Sequence, residues 1–131
     1  MIITNSDGGA RGNPGPAAIG VVVRIGSKII EEHKEKIGSC TNNIAEYKAV
    51  LKALELASKY DKQVYCILDS ELVVKQLMGV YQVKAPHLKL YWRKVRKMEE
   101  RFDRVAYKYK TRWDKFQKRA DKLVNKALDG K

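Results

Sequence analysis

An acid stands at the head of a loop built largely of glycine and proline. Asp7 is preceded by the short apolar run Met1–Ile3 and followed by Gly8, Gly9, Gly12, Pro14, Gly15 and Pro16. These residues punctuate regular structure, so the spacing predicts a strand that stops near Asp7 and a sharp bend into the next apolar run, Ala18 to Ile25. A carboxylate is thereby set where a strand ends. Small residues just downstream admit another backbone, and Arg11 and Asn13 supply a cation and an amide. A hairpin turn with a solvated aspartate shares this pattern, and the rest of the chain decides between the two.

Ile19–Ile25 reads as a buried strand and Lys28–Ile37 as a more polar one, with Gly26-Ser27 as the turn of a hairpin. The charges of IIEEHKEKI suit a sheet edge, where they discourage pairing with other molecules. Tyr47, Val50, Leu51, Leu54 and Ala57 then recur at helical spacing, which predicts an amphipathic helix over 43–58. Asn43 and Glu46 have the form of a capping box at its start. The alternative is that Glu46 points past the helix start toward Asp7. A third strand, Gln63–Leu68, ends in Asp69-Ser70, with Ser70 placed to cap a short helix that closes near Gly79. Asp69 repeats the arrangement of Asp7, and ligands of open α/β sheets gather at the carboxyl ends of strands. Two acids held close cost energy unless a cation sits between them.

Beyond Pro86, a helix over 87–102 carries Leu88, Tyr91, Trp92, Val95, Met98 and Phe102 on one stripe and Lys89, Arg93, Lys94, Arg96, Lys97 and Arg101 on its other faces. Arg104–Arg112 alternates with period two, as a strand does. The final helix, Lys115–Leu128, has Asp114 as its expected cap. Asp121 lies beside its apolar stripe, at the rim of the core or paired with Lys118 or Lys122. The order βββαβααβα describes a mixed sheet with helices packed on it.

With 131 residues, 44% of them hydrophobic, residues 1–131 are expected to form one domain around one core. No apolar run approaches the roughly 18 to 20 residues that span a bilayer, and no leader pattern opens the chain, so a cytoplasmic protein is expected, and a monomer. Cys40 and Cys66 fit neither metal spacing nor a disulfide framework and read as reduced thiols. The net charge of +12 is one-sided: residues 1–83 hold 10 Lys and Arg against 9 Asp and Glu, and residues 84–131 hold 17 against 6. That asymmetry points to a polyanionic partner, because neutralising phosphates releases condensed counterions.

Four blocks, DGGARGNPGPAAIG, TNNIAE, LDSELVVKQL and KRADKLVNKAL, occur in this order across nearly the whole chain, and together they resemble type 1 ribonuclease H in its minimal, free-standing form. The resemblance implies a ribonuclease H-like α/β fold, a five-stranded mixed sheet flanked by helices. It implies a metal-dependent endonuclease that hydrolyses the RNA strand of RNA/DNA hybrids and leaves 3′-hydroxyl and 5′-phosphate ends. Asp7, Glu46, Asp69 and Asp121 match the family's four catalytic, metal-binding acids. Two Mg²⁺ ions roughly 4 Å apart, for which Mn²⁺ substitutes, would activate a water on one side and stabilise the leaving oxygen on the other. An all-carboxylate donor set suits such hard cations and not zinc. By the same match Gly8, Gly9, Gly12, Asn13, Thr41, Asn42, Asn43, Ser70 and Glu71 line the hybrid, where 2′-hydroxyls distinguish RNA from DNA. The chain departs from the family at Thr111, where many members carry a histidine. It departs at Asp114 and Gln117, where others carry an arginine and an asparagine, and at Glu71, where a neutral amide is common. A non-catalytic hybrid-binding module and a DNA-cutting relative are the alternatives that share this fold.

Overall fold

The amino-terminal strand runs further than its glycines suggest. In the computed structural model, which describes residues 1–131, β1 spans Ile2–Ala10 and pairs antiparallel with β2, Gly15–Ile25, from Ile3 opposite Arg24 to Ala10 opposite Ala17. Asp7 therefore lies within the strand, opposite Gly20, and not at its end. The expectation fails because two of the glycines here serve close packing: helix backbones press on Gly8 and Gly20, where a side chain would collide. Asp7 does mark the end of the parallel part of the sheet. β4, Gln63–Leu68, pairs with β1 only from Ile2 opposite Val64 to Ser6 opposite Leu68, so Asp7 and Asp69 emerge side by side just beyond that ladder.

β3, Lys28–Cys40, forms the expected hairpin with β2 and extends three residues past Ile37. β5, Arg104–Tyr109, adds parallel to β4 and stops before Thr111. The strand order is β3-β2-β1-β4-β5, with the charged β3 on one edge as its composition requires. The helices are α1 (Asn42–Ala57), α2 (Glu71–Leu77), α3 (Pro86–Glu99) and α4 (Lys115–Leu128). α1, α2 and α3 cover one face through a core that includes Val21, Val23, Tyr47, Val50, Leu54, Val64, Leu68, Val73 and Val95. α4 covers the other face through Ala120, Leu123 and Val124 against Ala18 and Val22. Alternate residues of β2 thus serve two cores, which is why the strand is almost wholly apolar.

Gln76 ties two helices together through polar bonds in the larger core. The Tyr47 hydroxyl donates to Gln76 Oε1 at 2.6 Å, and the Trp92 indole N–H donates to the Gln76 carbonyl at 3.3 Å, which fixes that tryptophan as a core residue. Both cysteines are free, and burial pushes the Cys66 thiol up to about 12, far from a usable nucleophile. No helix is long and apolar enough to cross a membrane.

Candidate active site

Each of the four acids is delivered by a different element. Asp7 comes from β1, Asp69 from the turn after β4, Glu46 from the first turns of α1 and Asp121 from α4. The capping arrangement at α1 differs from the sequence expectation. Thr41 is the cap, its hydroxyl accepting from the Ile44 N–H at 3.3 Å, so Glu46 is released from that duty and accepts instead from the Gly8 N–H at 3.0 Å. Ser70 and Asp114 cap α2 and α4 as expected.

Two glycines set how near the acid-bearing helices come. A Cβ on Gly8 would lie 2.2 Å from the Ala45 carbonyl oxygen, one residue before Glu46. A Cβ on Gly20, the strand partner of Asp7, would lie 2.4 Å from the Ala120 carbonyl oxygen, one residue before Asp121. No other residue type lets both helix backbones rest on the sheet at these points.

Carboxylate oxygens of Asp7, Glu46 and Asp69 all lie within 4.8 Å of one another. Asp121 lines the same open cleft, which has a volume of about 380 Å³, and makes no ion pair with Lys118 or Lys122. Asp7 and Glu46 are each only 6% exposed. Burial, and then the charges of Glu46 and Asp69, push the Asp7 carboxyl up to about 11. Burial and then the Asp69 charge push Glu46 up to about 8. Asp69 is raised as well, by burial first and by Asp121, while the Asp7 carboxyl and Arg112 pull it back. Such a cluster resists ionisation unless a cation joins it. Glu46 Oε2 is buried without a hydrogen-bond partner, and every donor is a carboxylate oxygen, so the residues fit a hard divalent ion.

Of the residues expected along a bound hybrid, Gly8, Gly9, Asn42, Asn43 and Ser70 line this cleft with the acids. Asn42 and Asn13 also brace its wall: Asn42 Oδ1 accepts from the Ala10 N–H at 2.8 Å, and Asn13 Oδ1 accepts from the Asn42 N–H at 3.0 Å. Gly12 sits in the connecting loop with φ +97°, Thr41 is spent on its cap, and Glu71 faces solvent 3.2 Å from Lys75.

Arg112 also lines the cleft, exposed beside the departure at Thr111. Sequence reasoning did not assign it a role; a cation in the short loop between β5 and Asp114 was the available signal. Gln117 stands out in the sequence only as a departure from the resemblance, and its structural role was not foreseen. It is fully buried, donates from Nε2 to the Ser6 carbonyl at 2.7 Å and accepts from Asn5 Nδ2 at 3.2 Å. Asn5 in turn accepts from Arg24 Nε at 2.8 Å, and that guanidinium stacks 4.0 Å from the Phe116 ring. The chain of bonds ties α4 to the residue before Asp7. Gln117→Leu leaves buried partners on both sides unpaired and is expected to cost about 2 to 3 kcal/mol, read as a lower urea midpoint at unchanged slope.

The family described as "Reverse transcriptase-like" matches residues 5–127. Ribonuclease HI of Halobacterium salinarum is 40% identical over 94% of this chain and 62% of its own length. The bifunctional protein Rv2228c of Mycobacterium tuberculosis is 37% identical over 98% of this chain but only 35% of its own length, so the chain spans about a third of that relative. Among solved structures, LC11-RNase H1 in complex with an RNA/DNA hybrid superimposes with a TM-score of 0.94 at 42% identity, over 99% of this chain and 98% of that one. A family match over most of the chain and likeness to a solved relative along the full length of both lead to one conclusion: this chain belongs to the type 1 ribonuclease H family.

Proposed function

We propose that the protein is a metal-dependent endonuclease that hydrolyses the RNA strand of RNA/DNA hybrids, leaving 3′-hydroxyl and 5′-phosphate ends. The observation that carries this reading is the three-carboxylate cluster of Asp7, Glu46 and Asp69 with Asp121 across the same cleft. The hybrid in the LC11 relative supports the choice of substrate. Asp7, Glu46, Asp69 and Asp121 would hold two Mg²⁺ ions, or Mn²⁺ in their place, which supply an activated water and stabilise charge on the phosphate and leaving oxygens.

The chain's own residues do the rest. The Gly8 N–H fixes the Glu46 carboxylate, and Gly8 and Gly9 keep the strand beside Asp7 bare of side chains, so a sugar-phosphate backbone can lie against it. Asn42, Asn43 and Ser70 present amide and hydroxyl groups at the cleft, suited to 2′-hydroxyls and sugar edges. Arg112 draws the scissile phosphate toward a site that would otherwise repel it. Labelled RNA/DNA, RNA/RNA and DNA/DNA duplexes, each with Mg²⁺, Mn²⁺ or EDTA, test the reading. The expected result is internal cleavage of RNA in the hybrid only, absent in EDTA. Binding without cleavage under every metal, or cutting of DNA/DNA, would overturn it.

A further inference from the structure

An ion pair between Arg11 and Asp129 closes one end of the acidic cleft. The guanidinium reaches from the loop between β1 and β2 to the residue that ends α4, with Nη1 2.6 Å from Asp129 Oδ1. Arg11 lines the cleft beside Gly9, Asn125 and Leu128, and Arg112 lines it as well. Arg11 leads into β2 and Arg112 follows β5, strands that lie on opposite sides of β1. The acids are therefore bracketed by two arginines. Arg112 stands near Asp69 and favours its ionised form, whereas the charge of Arg11 is already met by Asp129.

The backbone beneath Arg11 is fixed. Its N–H donates to the Pro16 carbonyl at 2.8 Å, and Asn42 ties the loop down on both sides of it, accepting from the Ala10 N–H and donating its own N–H to Asn13 Oδ1. Only the side chain is free to change partner. Its hold on Asp129 is light, a single contact between side chains 49% and 43% exposed, which water screens. Arg119 shows the stronger form, meeting Glu32 through two nitrogens at 2.5 and 2.8 Å. Stability does not explain the acid either. A carboxylate at the carboxyl end of α4 faces the negative end of the helix dipole, and its ionised form is kept chiefly by Arg11.

We propose that Asp129 is a displaceable counter-ion, which holds Arg11 in the free protein and gives it up to a backbone phosphate when a hybrid enters the cleft. A phosphate accepts the guanidinium fork through two oxygens, where Asp129 engages one nitrogen. The exchange needs no movement of the loop. Asp129 thereby opposes binding at this end of the cleft, and it takes Arg11 back as the strand departs. The proposal rests on the hybrid reading above for its ligand, but not on cleavage.

The test is a double-variant cycle on the full chain. Affinity for an RNA/DNA hybrid is measured in EDTA at one fixed salt concentration for the parent, Arg11→Gln, Asp129→Asn and the two together. Asp103→Asn, which removes an exposed acid just before β5 at the opposite end of the sheet, controls for net charge. Asp129→Asn is expected to bind about threefold tighter than the parent. Arg11→Gln should bind about tenfold weaker, and adding Asp129→Asn to it should restore nothing. Asp103→Asn should bind as the parent does. Because the pair is exposed, every variant is expected to melt within about 2 °C of the parent. The exchange is overturned if Asp129→Asn binds no tighter, if it tightens equally in the absence of Arg11, if Asp103→Asn gains as much, or if Arg11→Gln binds like the parent. A parent that binds the hybrid but leaves it uncut in Mg²⁺ overturns the activity proposal, while the cycle still decides this one; a parent that binds no hybrid overturns both.

Discussion

Asp7→Asn is expected to cut no hybrid and yet to fold more stably than the parent in metal-free buffer above neutral pH. The loss of rate should reach roughly three orders of magnitude, about 4 kcal/mol in the barrier, because the carboxylate at the centre of the cluster is the one every other acid faces. The gain in stability follows from the same crowding. Folding raises the Asp7 carboxyl to about 11 from an ordinary value near 3.8, so between those limits the folded state holds a proton that the unfolded state has shed. The parent therefore loses stability as pH rises through that window. Asparagine has no proton to lose, so the variant's advantage should be small near pH 4 and grow toward pH 9. Paired thermal melts and hybrid cleavage rates check both halves. A variant that cuts at near-normal rate in Mg²⁺ would contradict the site.

Gly8→Ala and Gly20→Ala should be the most damaging of the small substitutions. Each new methyl group meets a helix carbonyl oxygen, of Ala45 at 2.2 Å or of Ala120 at 2.4 Å, and backbone cannot turn aside as a side-chain tip can. Overpacking of this kind is expected to cost about 3 kcal/mol or more, a fall of about 10 °C in the thermal midpoint. The damage is also directed. Pushing α1 away from Gly8 carries off Glu46, and pushing α4 away from Gly20 carries off Asp121, so residual folded protein should need more Mg²⁺ for the same rate. Gly9→Ala, whose methyl would meet only a Val124 side chain at 3.7 Å, is the matched control and should leave the urea midpoint close to that of the parent.

Element order, the edge position of β3 and the limits of β4 and α4 were legible because each depends on local periodicity and turn residues. Asp69 and Asp7 were legible as strand-end acids, although β1 itself continues to Ala10; only the register of β1 against β4 shows that the parallel ladder stops before both. The capping box at Asn43 and Glu46 was misleading since a local pattern is silent about a distant competitor, here the Gly8 N–H. The bond between Asn5 and Gln117 was hidden for the same reason, the two residues lying 112 apart in sequence. The meeting of Asp121 with the other acids was legible through the family resemblance alone, since nothing local to α4 separates it from a surface aspartate beside lysines.

The central claim is that Asp7, Glu46, Asp69 and Asp121 together grip divalent cations. It is tested most directly by the thermal midpoint at about pH 9 as Mg²⁺ is added, for the parent and for Glu46→Gln and Asp7→Asn. The parent is expected to start low, since its crowded acids are ionising, and to climb steadily with the logarithm of Mg²⁺, while both variants start higher and climb little. A parent whose midpoint stays flat, or variants that climb as steeply as the parent, would contradict it.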